Sequence, residues 1–522
     1  MLDIDGLRPR CLRPRCLRPR CLRPLGVGLT HFPALGSFFD RRADLIDVVE
    51  VSPETLWLPD GRGGYVCDQT ELERLTEFPA PKVLHGVGNP VGGSAPADPV
   101  RRELLAAMVE SFGSELASEH LSFARVADAD GYHFTGFMPP PRQTAEGVAV
   151  AASAARAMAA QVNVAFAIEN GVSYLRPRRD EMPDGEFVTA VAEAADVGIL
   201  LDLHNAYTNE RNGRGSMASF VEALPLERVV EIHLAGGLPH GRYWLDAHSG
   251  AMPDAVFGFA RELAGSLPSL RVINFELMPL FFAEFGADGV TRELDRCHEV
   301  WAARQSVGGA QGVTGSRSVA APPARQQRPV ILAPAPPAPA AWERQLATLA
   351  GSAPLAGGPA DESVDESVDE LSDDPGIEVL RFLVTEFRSG MLARGLKLAT
   401  RLLLLHLGER AVREIHTDFF ATRPPELFAA AEAEAFADYL SGLDLEVPHL
   451  HSVVSFELAL QHAAAGDASA TVEFEGDPHE ILSNLARGLH PPPPTSTSQS
   501  VVVESAGAEL AASQSARVMP SM

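Results

Sequence analysis

The residues best suited to chemistry in this sequence are histidines, aspartates and glutamates that end short apolar segments or follow them closely. Imidazole and carboxylate groups without thiolates suit Fe, Mn or Zn, and carboxylates can bridge two ions. Burying so many titratable groups together is costly unless cations compensate them. The pattern therefore predicts a metal centre. We expect Glu169 and His233 to be its catalytic residues. The predicted metal ligands are His85, His120, Glu169, Asp202, His204, His233, Asp246, His248 and Glu276.

Spacing supports two pairs within this set. Asp202 and His204 are two residues apart, so in a strand they share one face. Asp246 and His248 have the same separation, in a stretch with the character of a loop. Two further acids, after the second apolar segment, are expected to contact the site or the substrate: Glu50 and Glu54. We expect structural or solvent-exposed roles for His133, His240, His298, Cys67 and Cys297.

The elements that must position these residues are eight apolar segments of strand length, separated by amphipathic stretches. Stretches such as 101–116 and 144–161 are rich in Ala, Leu and Glu and predict helices. Eight strands with helical crossovers in this length predict an α/β fold, a TIM (β/α)8 barrel, whose strand ends meet at one face. GVGLTH lacks the third glycine of a dinucleotide-binding turn, which disfavours a doubly wound sheet. The predicted strands are 26–30, 47–51, 82–86, 116–123, 164–170, 198–205, 229–236 and 272–277.

Composition narrows the functional class. The chain has 522 residues and a formal net charge of -26, which repels phosphate backbones and makes nucleic acid an unfavourable partner. No apolar run approaches the roughly 20 residues that cross a bilayer, so we expect no membrane partner. Five cysteines cannot form a disulfide scaffold in a chain of this length, which predicts a reducing, cytoplasmic location.

Changes in composition divide the chain into five parts. We expect a disordered tail over 1–24, where LRPRC repeats, and the barrel over 25–302. An Ala/Pro-rich and then acidic stretch predicts a linker over 303–376. Apolar periodicity returns over 377–490 and predicts a smaller, mainly helical domain, followed by a disordered tail over 491–522.

The barrel segments resemble the multinuclear non-heme iron-dependent oxidative enzymes, the group that includes the methanobactin-biosynthesis oxidase. The resemblance spans about residues 25–300 and implies a TIM barrel of the xylose-isomerase-like type with two or three iron ions at its mouth. It depends on the order and spacing of GVGLTHF, VVEVSPETLW, LHGVGNPVG, SEHLSF, IENGVSYL, LLDLHNAYTN, EIHLAGG and DAHSGAMPDAVF.

The resemblance also assigns ligands. It implies that the first irons are held by His85, His120, Glu169, Asp202, His233 and Glu276, with Glu169 as a bridge. A remaining position would use residue 204 with Asp246 and His248. The family commonly has Asn at 204, where this chain has His204. Two further departures are AGG at 235–237 and ELM at 276–278.

The implied activity is oxidation of a ribosomally made precursor peptide by O2. A substrate Cys thiolate would bind one iron, a coordination that lowers the thiol pKa. Parts of 416–488 resemble the partner family of putative DNA-binding type that is often encoded beside these oxidases, so the C-terminal domain would bind the leader peptide in cis. The alternative is a generic helical accessory domain.

Two other functions fit the same residues. One is a divalent-metal isomerase or phosphodiesterase on the same type of barrel. The other is a metal-carrying binding module without catalytic activity. The chain has no GxSxG, Walker, HExxH or CxxC motif, so other common catalytic sites lack support.

Overall fold

The structure, a computed structural model, describes residues 23–59, 64–128, 131–306, 338–351, 371–466 and 468–504. Eight parallel strands close into a barrel in which each strand pairs with its neighbours along the chain, and the last pairs with the first. This order confirms the predicted (β/α)8 barrel. The strands are β1 Gly26–His31, β2 Val48–Val51, β3 Lys82–Gly86, β4 Leu116–His120, β5 Ala165–Glu169, β6 Gly198–Asp202, β7 Val229–Ala235 and β8 Val272–Glu276.

The strands are buried on both faces, which explains their continuous apolar character. Between them lie helices that pack their apolar sides against the barrel, with side-chain caps such as Thr144, which accepts the N–H of Gly147. These helices are α1 Gly36–Arg41, α2 Gln69–Glu77, α3 Pro99–Phe112, α4 Ala145–Val162, α5 Asp184–Ala195, α6 Leu203–Arg211, α7 Met217–Glu222, α8 Asp254–Leu263 and α9 Pro279–Ser306, interrupted at Gly286.

Within the described residues, three short antiparallel hairpins extend from the barrel. The third, which we call the rim hairpin, joins Leu238–His240 to Tyr243–Leu245 after β7. The other two join Trp57–Pro59 to Tyr65–Cys67 and Arg125–Asp128 to Gly131–Phe134.

Strands β4 and β6 end three residues earlier than predicted. In β6 the reason is a helix cap, because the Asp202 side chain accepts the backbone N–H of Asn205 at 2.7 Å and starts α6 there. His204 therefore lies in the first turn of a helix. The expectation that Asp202 and His204 share one strand face is wrong, since the chain changes from period two to a helical period between them.

The C-terminal region is mainly helical, as predicted, but its structured part begins inside the predicted linker. Helix α10, Pro339–Ala350, lies within 303–376, so the linker prediction is wrong over 338–351. The tail prediction for 491–522 also fails over 499–503, because that segment forms a strand that pairs with 470–474. The remaining elements are α11 Gly376–Gly395, α12 Lys397–Thr422 (interrupted at Gly408), α13 Ala429–Ser441, α14 Leu450–Ala464, β9 Ala470–Phe474, α15 Pro478–Ala486 and β10 Gln499–Val503.

Other parts of the domain prediction stay predictions. Residues 1–22, most of the predicted N-terminal tail, lie outside the described residues, as do 307–337, 352–370 and 505–522. Among the helices that the structure describes, none combines the length and apolarity that a bilayer crossing requires.

Helices α10 and α11 pack against loops at the carboxyl end of the barrel strands. Phe123, Tyr174 and Leu245 from these loops share one buried cluster with Trp342 and Leu380. Trp342 anchors α10 to the barrel, because two guanidinium groups lie against its indole. These belong to Arg142 and Arg178, at 4.7 and 4.8 Å from the ring centroid.

Replacing Trp342 with Ala should detach α10 from the barrel. Truncating a buried Trp typically costs about 3–5 kcal/mol, more than a helix of 12 residues gains alone. Hydrogen exchange over 338–351 should accelerate strongly in Trp342→Ala and stay unchanged in Thr348→Ala, an exposed position on the same helix. Equal protection in both variants would contradict the proposed anchoring.

Candidate metal centre

Six of the nine predicted ligands lie at the carboxyl ends of strands β3 to β8 and converge on one space. Strand geometry explains this arrangement, since the strand ends of a (β/α)8 barrel surround its axis at one face. Five of the six are at most 7% exposed, and the side chain of His120 is 17% exposed. The six are His85 on β3, His120 on β4, Glu169 on β5, Asp202 on β6, His233 on β7 and Glu276 on β8.

The first cluster consists of His85, His120 and Glu169. The Nε2 atoms of His85 and His120 lie 3.2 and 3.0 Å from the same oxygen, Glu169 Oε2. His120 Nδ1 donates to the carbonyl of Gly86 at 3.0 Å, and His85 Nδ1 lies 2.9 Å from Ser118 Oγ. These contacts on Nδ1 leave Nε2 of each ring directed at the carboxylate, the arrangement usual for metal-binding histidines.

The second cluster shares Glu169 and adds Asp202, His233 and Glu276, with one donor atom from each residue within 4.8 Å of the others. His233 Nδ1 lies 3.4 Å from Glu169 Oε1 and 3.1 Å from Glu276 Oε2. Glu169 therefore presents one oxygen to each cluster. This arrangement would allow Glu169 to contribute a ligand to an ion in each cluster.

A third buried group lies on the opposite side of the His233 ring. His233 Nε2 donates a hydrogen bond to Glu50 Oε2 at 2.7 Å, which leaves the lone pair of His233 Nδ1 for the second cluster. Glu50 Oε1 accepts from Thr30 Oγ1 and Asn274 Nδ2 at 2.7 and 2.8 Å. Glu50 thus orients a predicted ligand, in line with the expectation that it contacts the site. Glu231, 3.9 Å from His233 Nε2, completes this group.

The other three predicted ligands lie at the rim. His248 Nε2 is 3.1 Å from Asp246 Oδ1 and 3.6 Å from Glu276 Oε2, so this pair adjoins the second cluster. His204 contacts Asp246 through Nδ1 at 2.8 Å and accepts from the indole N–H of Trp244 through Nε2 at 3.2 Å. His204 belongs to none of the converging groups found among the described residues.

Whether a cation fits the two clusters can be tested on their unpaired donor atoms. Four buried atoms of the predicted ligands lack a hydrogen-bond partner: Asp202 Oδ2, Glu169 Oε2, His233 Nδ1 and His248 Nε2. Buried polar atoms without a hydrogen bond are costly, and here they lie in or beside the two clusters. In the described part of the chain, the ion pairs of Glu169, Glu276 and Asp246 are to histidines alone. The donor set therefore fits metal ions.

The charges of the clusters shift several pKa values. Burial alone would lower the pKa of His85, but the carboxylate of Glu169 outweighs burial and raises it to about 9. Burial would raise the pKa of Glu169, yet the imidazoles of His120 and His85 hold it well below its usual value. Burial and, to a smaller extent, the negative charge of Glu169 raise the pKa of Asp202 well above its usual range.

The acids exceed what the imidazoles can neutralise. Burial and the nearby Glu50 raise the pKa of Glu231 to about 8, and both of its carboxylate oxygens lack hydrogen-bond partners. Together with Asp202 this means that two acids of the barrel mouth resist ionisation. A divalent cation beside Asp202 would supply the missing positive charge.

Several residues with functional contacts were missed or only partly anticipated from the sequence. Glu231 precedes His233 by two residues in β7, a period-two signal that was available. Trp244 gave no signal, because its contact with His204 depends on the rim hairpin. Glu54, named with Glu50 as a site contact, accepts the N–H of Gly88 at 2.7 Å, in the loop after β3.

The residues expected to be ordinary lie elsewhere. His133 pairs with Asp128 in a hairpin, and His298 contacts the carbonyl of Leu45. His240 stacks on Phe382 of α11 at 4.1 Å between ring centroids. Burial raises the pKa of the Cys67 thiol to about 11, and Cys297 is fully buried in the hydrophobic core.

Known proteins resemble this barrel. Residues 24–273 match the family model described as RiPP precursor modification enzyme MbnB/TglH/ChrH, where RiPP denotes a ribosomally synthesised and post-translationally modified peptide. A UPF0276 protein of Neisseria meningitidis serogroup B is 32% identical over 259 residues, which cover 48% of this chain and 89% of the relative. A UPF0276 protein of Pseudomonas aeruginosa is 32% identical over 48% of this chain and 85% of its own length. In a Streptomyces avermitilis relative, 29% identical, the match covers 44% of this chain and 48% of that protein, so this chain spans about half of it.

Solved structures give a weaker likeness. A xylose isomerase domain protein from Planctomyces limnophilus is 14% identical, with a TM-score of 0.36 over 55% of this chain and 99% of the other. A D-psicose 3-epimerase is also 14% identical, with a TM-score of 0.35 over 54% of this chain and 100% of the other. The assignment of the barrel comes from the strand order of this chain itself.

The electrostatics of the first cluster can be tested in metal-free protein. Replacing Glu169 with Gln removes the charge that raises the pKa of His85, so burial should then lower that pKa below the usual 6.5. Because the folded-state pKa of His85 exceeds 6.5, its contribution to stability is present below pH 6.5 and is lost as pH rises through about 9. A pH titration of ¹⁵N-labelled histidines by NMR measures the pKa of His85 in the wild-type protein and in Glu169→Gln. Glu110→Gln, at an exposed position of α3, is the control, and an unchanged His85 pKa in Glu169→Gln would contradict the assignment.

Proposed function

The chain belongs to the family of RiPP precursor modification enzymes MbnB/TglH/ChrH, and from this premise we propose that it is a multinuclear iron-dependent oxidase that modifies a precursor peptide with O2. The observation that carries the proposal is the pair of donor clusters that share Glu169. Imidazoles and carboxylates suit iron, manganese and zinc alike. The resemblance described above selects iron, in two or three ions.

The clusters give each proposed ligand a role. One ion would be held by His85, His120 and Glu169, and a second by Glu169, Asp202, His233 and Glu276. Asp246 and His248 extend the second set towards the rim. When bound, the irons would supply electrons for the reduction of O2 and a binding position for a Cys thiolate of the peptide.

The protein's own residues prepare the site for this chemistry. The two oxygens of Glu169 face different clusters, so this carboxylate would contribute a ligand to both ions. Glu50 accepts a hydrogen bond from the N–H at His233 Nε2, and this keeps the lone pair of Nδ1 directed towards the second cluster. Apolar strands and buried side chains exclude water below the site. We assign the catalytic roles to Glu169 and His233 on these grounds.

The substrate would be a peptide that contains Cys and enters from the carboxyl face of the barrel. Helices α10 and α11 lie against the loops of that face, beside the rim hairpin. Their position supports a role for the C-terminal region in recruiting the peptide in cis, as a leader-binding element. A cytoplasmic location, where thiols stay reduced, agrees with a Cys substrate.

Iron binding should depend on Glu169. Glu169→Ala should lower the affinity for iron, because it removes a proposed ligand of both clusters. The loss should exceed the ~10–100-fold loss of affinity that follows changes to residues outside the ligand shell. Glu110→Ala, at an exposed position on α3, is the matched control. Metal analysis of protein reconstituted with Fe(II) measures the effect, and a wild-type protein that cannot bind iron would refute the proposal.

Oxygen uptake separates the proposed oxidase from a metal-dependent isomerase, phosphodiesterase or binding module on the same barrel. The iron-loaded enzyme should consume O2 when supplied with a Cys-containing precursor peptide encoded near it. The same peptide with Cys replaced by Ser should give background uptake. Turnover of the peptide without O2, or binding without turnover, would favour the alternatives.

A further inference from the structure

The imidazole of His204 is engaged at both nitrogens. The indole N–H of Trp244 lies 3.2 Å from His204 Nε2, and His204 Nδ1 lies 2.8 Å from Asp246 Oδ1. An indole nitrogen only donates, so Nε2 must accept, and the ring proton of the neutral imidazole is on Nδ1. The result is a directed chain of hydrogen bonds in which Trp244 donates to His204 and His204 donates to Asp246.

A metal ion would have to compete for the lone pair that this chain uses. The neutral imidazole has one lone pair, on Nε2, and Trp244 occupies it. His204 is fully buried, in the first turn of α6, so it has little freedom to turn towards the clusters. This agrees with its absence from the converging donor groups among the described residues.

The indole is held in place by its surroundings. The side-chain amide of Asn212 pairs with both backbone groups of Trp244, accepting its N–H at 2.8 Å and donating to its carbonyl at 2.9 Å. The guanidinium of Arg211 lies 4.9 Å from the indole centroid, and the ring of Tyr207 meets it edge-on at 6.2 Å.

The backbone shortly after β7 leaves room for this contact at Gly237. A Cβ atom there would lie 2.3 Å from Trp244 Nε1 and 2.8 Å from His204 Nε2, closer than side chains tolerate. The hydrogen bond between Trp244 and His204 therefore requires glycine at position 237. Three separate segments of the chain meet to build it.

We infer that His204 is not a metal ligand, and that Trp244 and His204 are positioning residues which orient the carboxylate of Asp246 towards His248. Asp246 Oδ1 accepts a hydrogen bond from His204 Nδ1 at 2.8 Å and lies 3.1 Å from His248 Nε2. His248 in turn lies 3.6 Å from Glu276, a member of the second cluster. The inference rests on the proposed function, since it concerns the ligand set of that site, and it revises the role predicted for His204 from the sequence.

Zinc alone, a diamagnetic ion, tests the inference without turnover. The chain has four Trp residues, so ¹⁵N-Trp-labelled full-length protein gives a simple indole spectrum, in which Trp244→Phe identifies the Trp244 signal. We expect that signal to keep its hydrogen-bonded, downfield position when the clusters are loaded with zinc. Loss of the hydrogen bond on loading would show that zinc has taken His204 Nε2 and would overturn the inference.

A count of bound zinc distinguishes failure of the inference from failure of the proposed function. His204→Ala should keep the wild-type number of ions, whereas His120→Ala should lose about one, because only His120 belongs to a converging group. Loss of one ion in both variants would overturn the inference and leave the metal centre intact. A wild-type chain that binds no zinc and no iron would overturn the proposed function, and the inference with it.

Discussion

The interaction on which the barrel mouth depends is that of the Glu169 carboxylate with the three imidazoles around it. Each oxygen of Glu169 faces at least one imidazole nitrogen, and the whole group is almost completely buried. Histidines alone cannot balance the acids that share this space, because Asp202 and Glu231 are left with raised pKa values. Buried charge without compensation costs several kcal/mol per ion. Metal ions are the compensation that the donor set fits, and the proposed chemistry follows from them.

The barrel makes this arrangement possible because it brings residues that are far apart in sequence to one place. Each predicted ligand of the two clusters lies at or near the carboxyl end of a different strand, so the backbone of six neighbouring strands sets their separation. Below them, Glu50 on β2 fixes the ring of His233 through a hydrogen bond of 2.7 Å. Above them, the rim hairpin brings Trp244 and Asp246 against His204. The site is thus supported both from the barrel interior and from its edge.

Much of this could be predicted from the sequence, for physical reasons. Strands buried on both faces give continuous apolar segments, so all eight were found, and residues at their carboxyl ends converge in any such barrel. The failures occurred where a local interaction overrides the pattern. Asp202 caps a helix, which places His204 outside the strand that apolar periodicity had extended. Helix α10 has a composition typical of a linker, and the pattern does not show its contacts with the barrel, such as those of Trp342 with two arginines.

The contacts of α10 and α11 with the barrel place the C-terminal region beside the face that carries the predicted metal ligands. The most direct test of the metal centre itself is an anomalous diffraction map, collected at the iron edge from crystals of protein reconstituted with Fe(II). Peaks on both sides of the Glu169 carboxylate are expected, one next to His85 and His120 and one next to Asp202, His233 and Glu276. A map without peaks at Glu169, from protein that folds as described, would contradict the assignment of a metal centre.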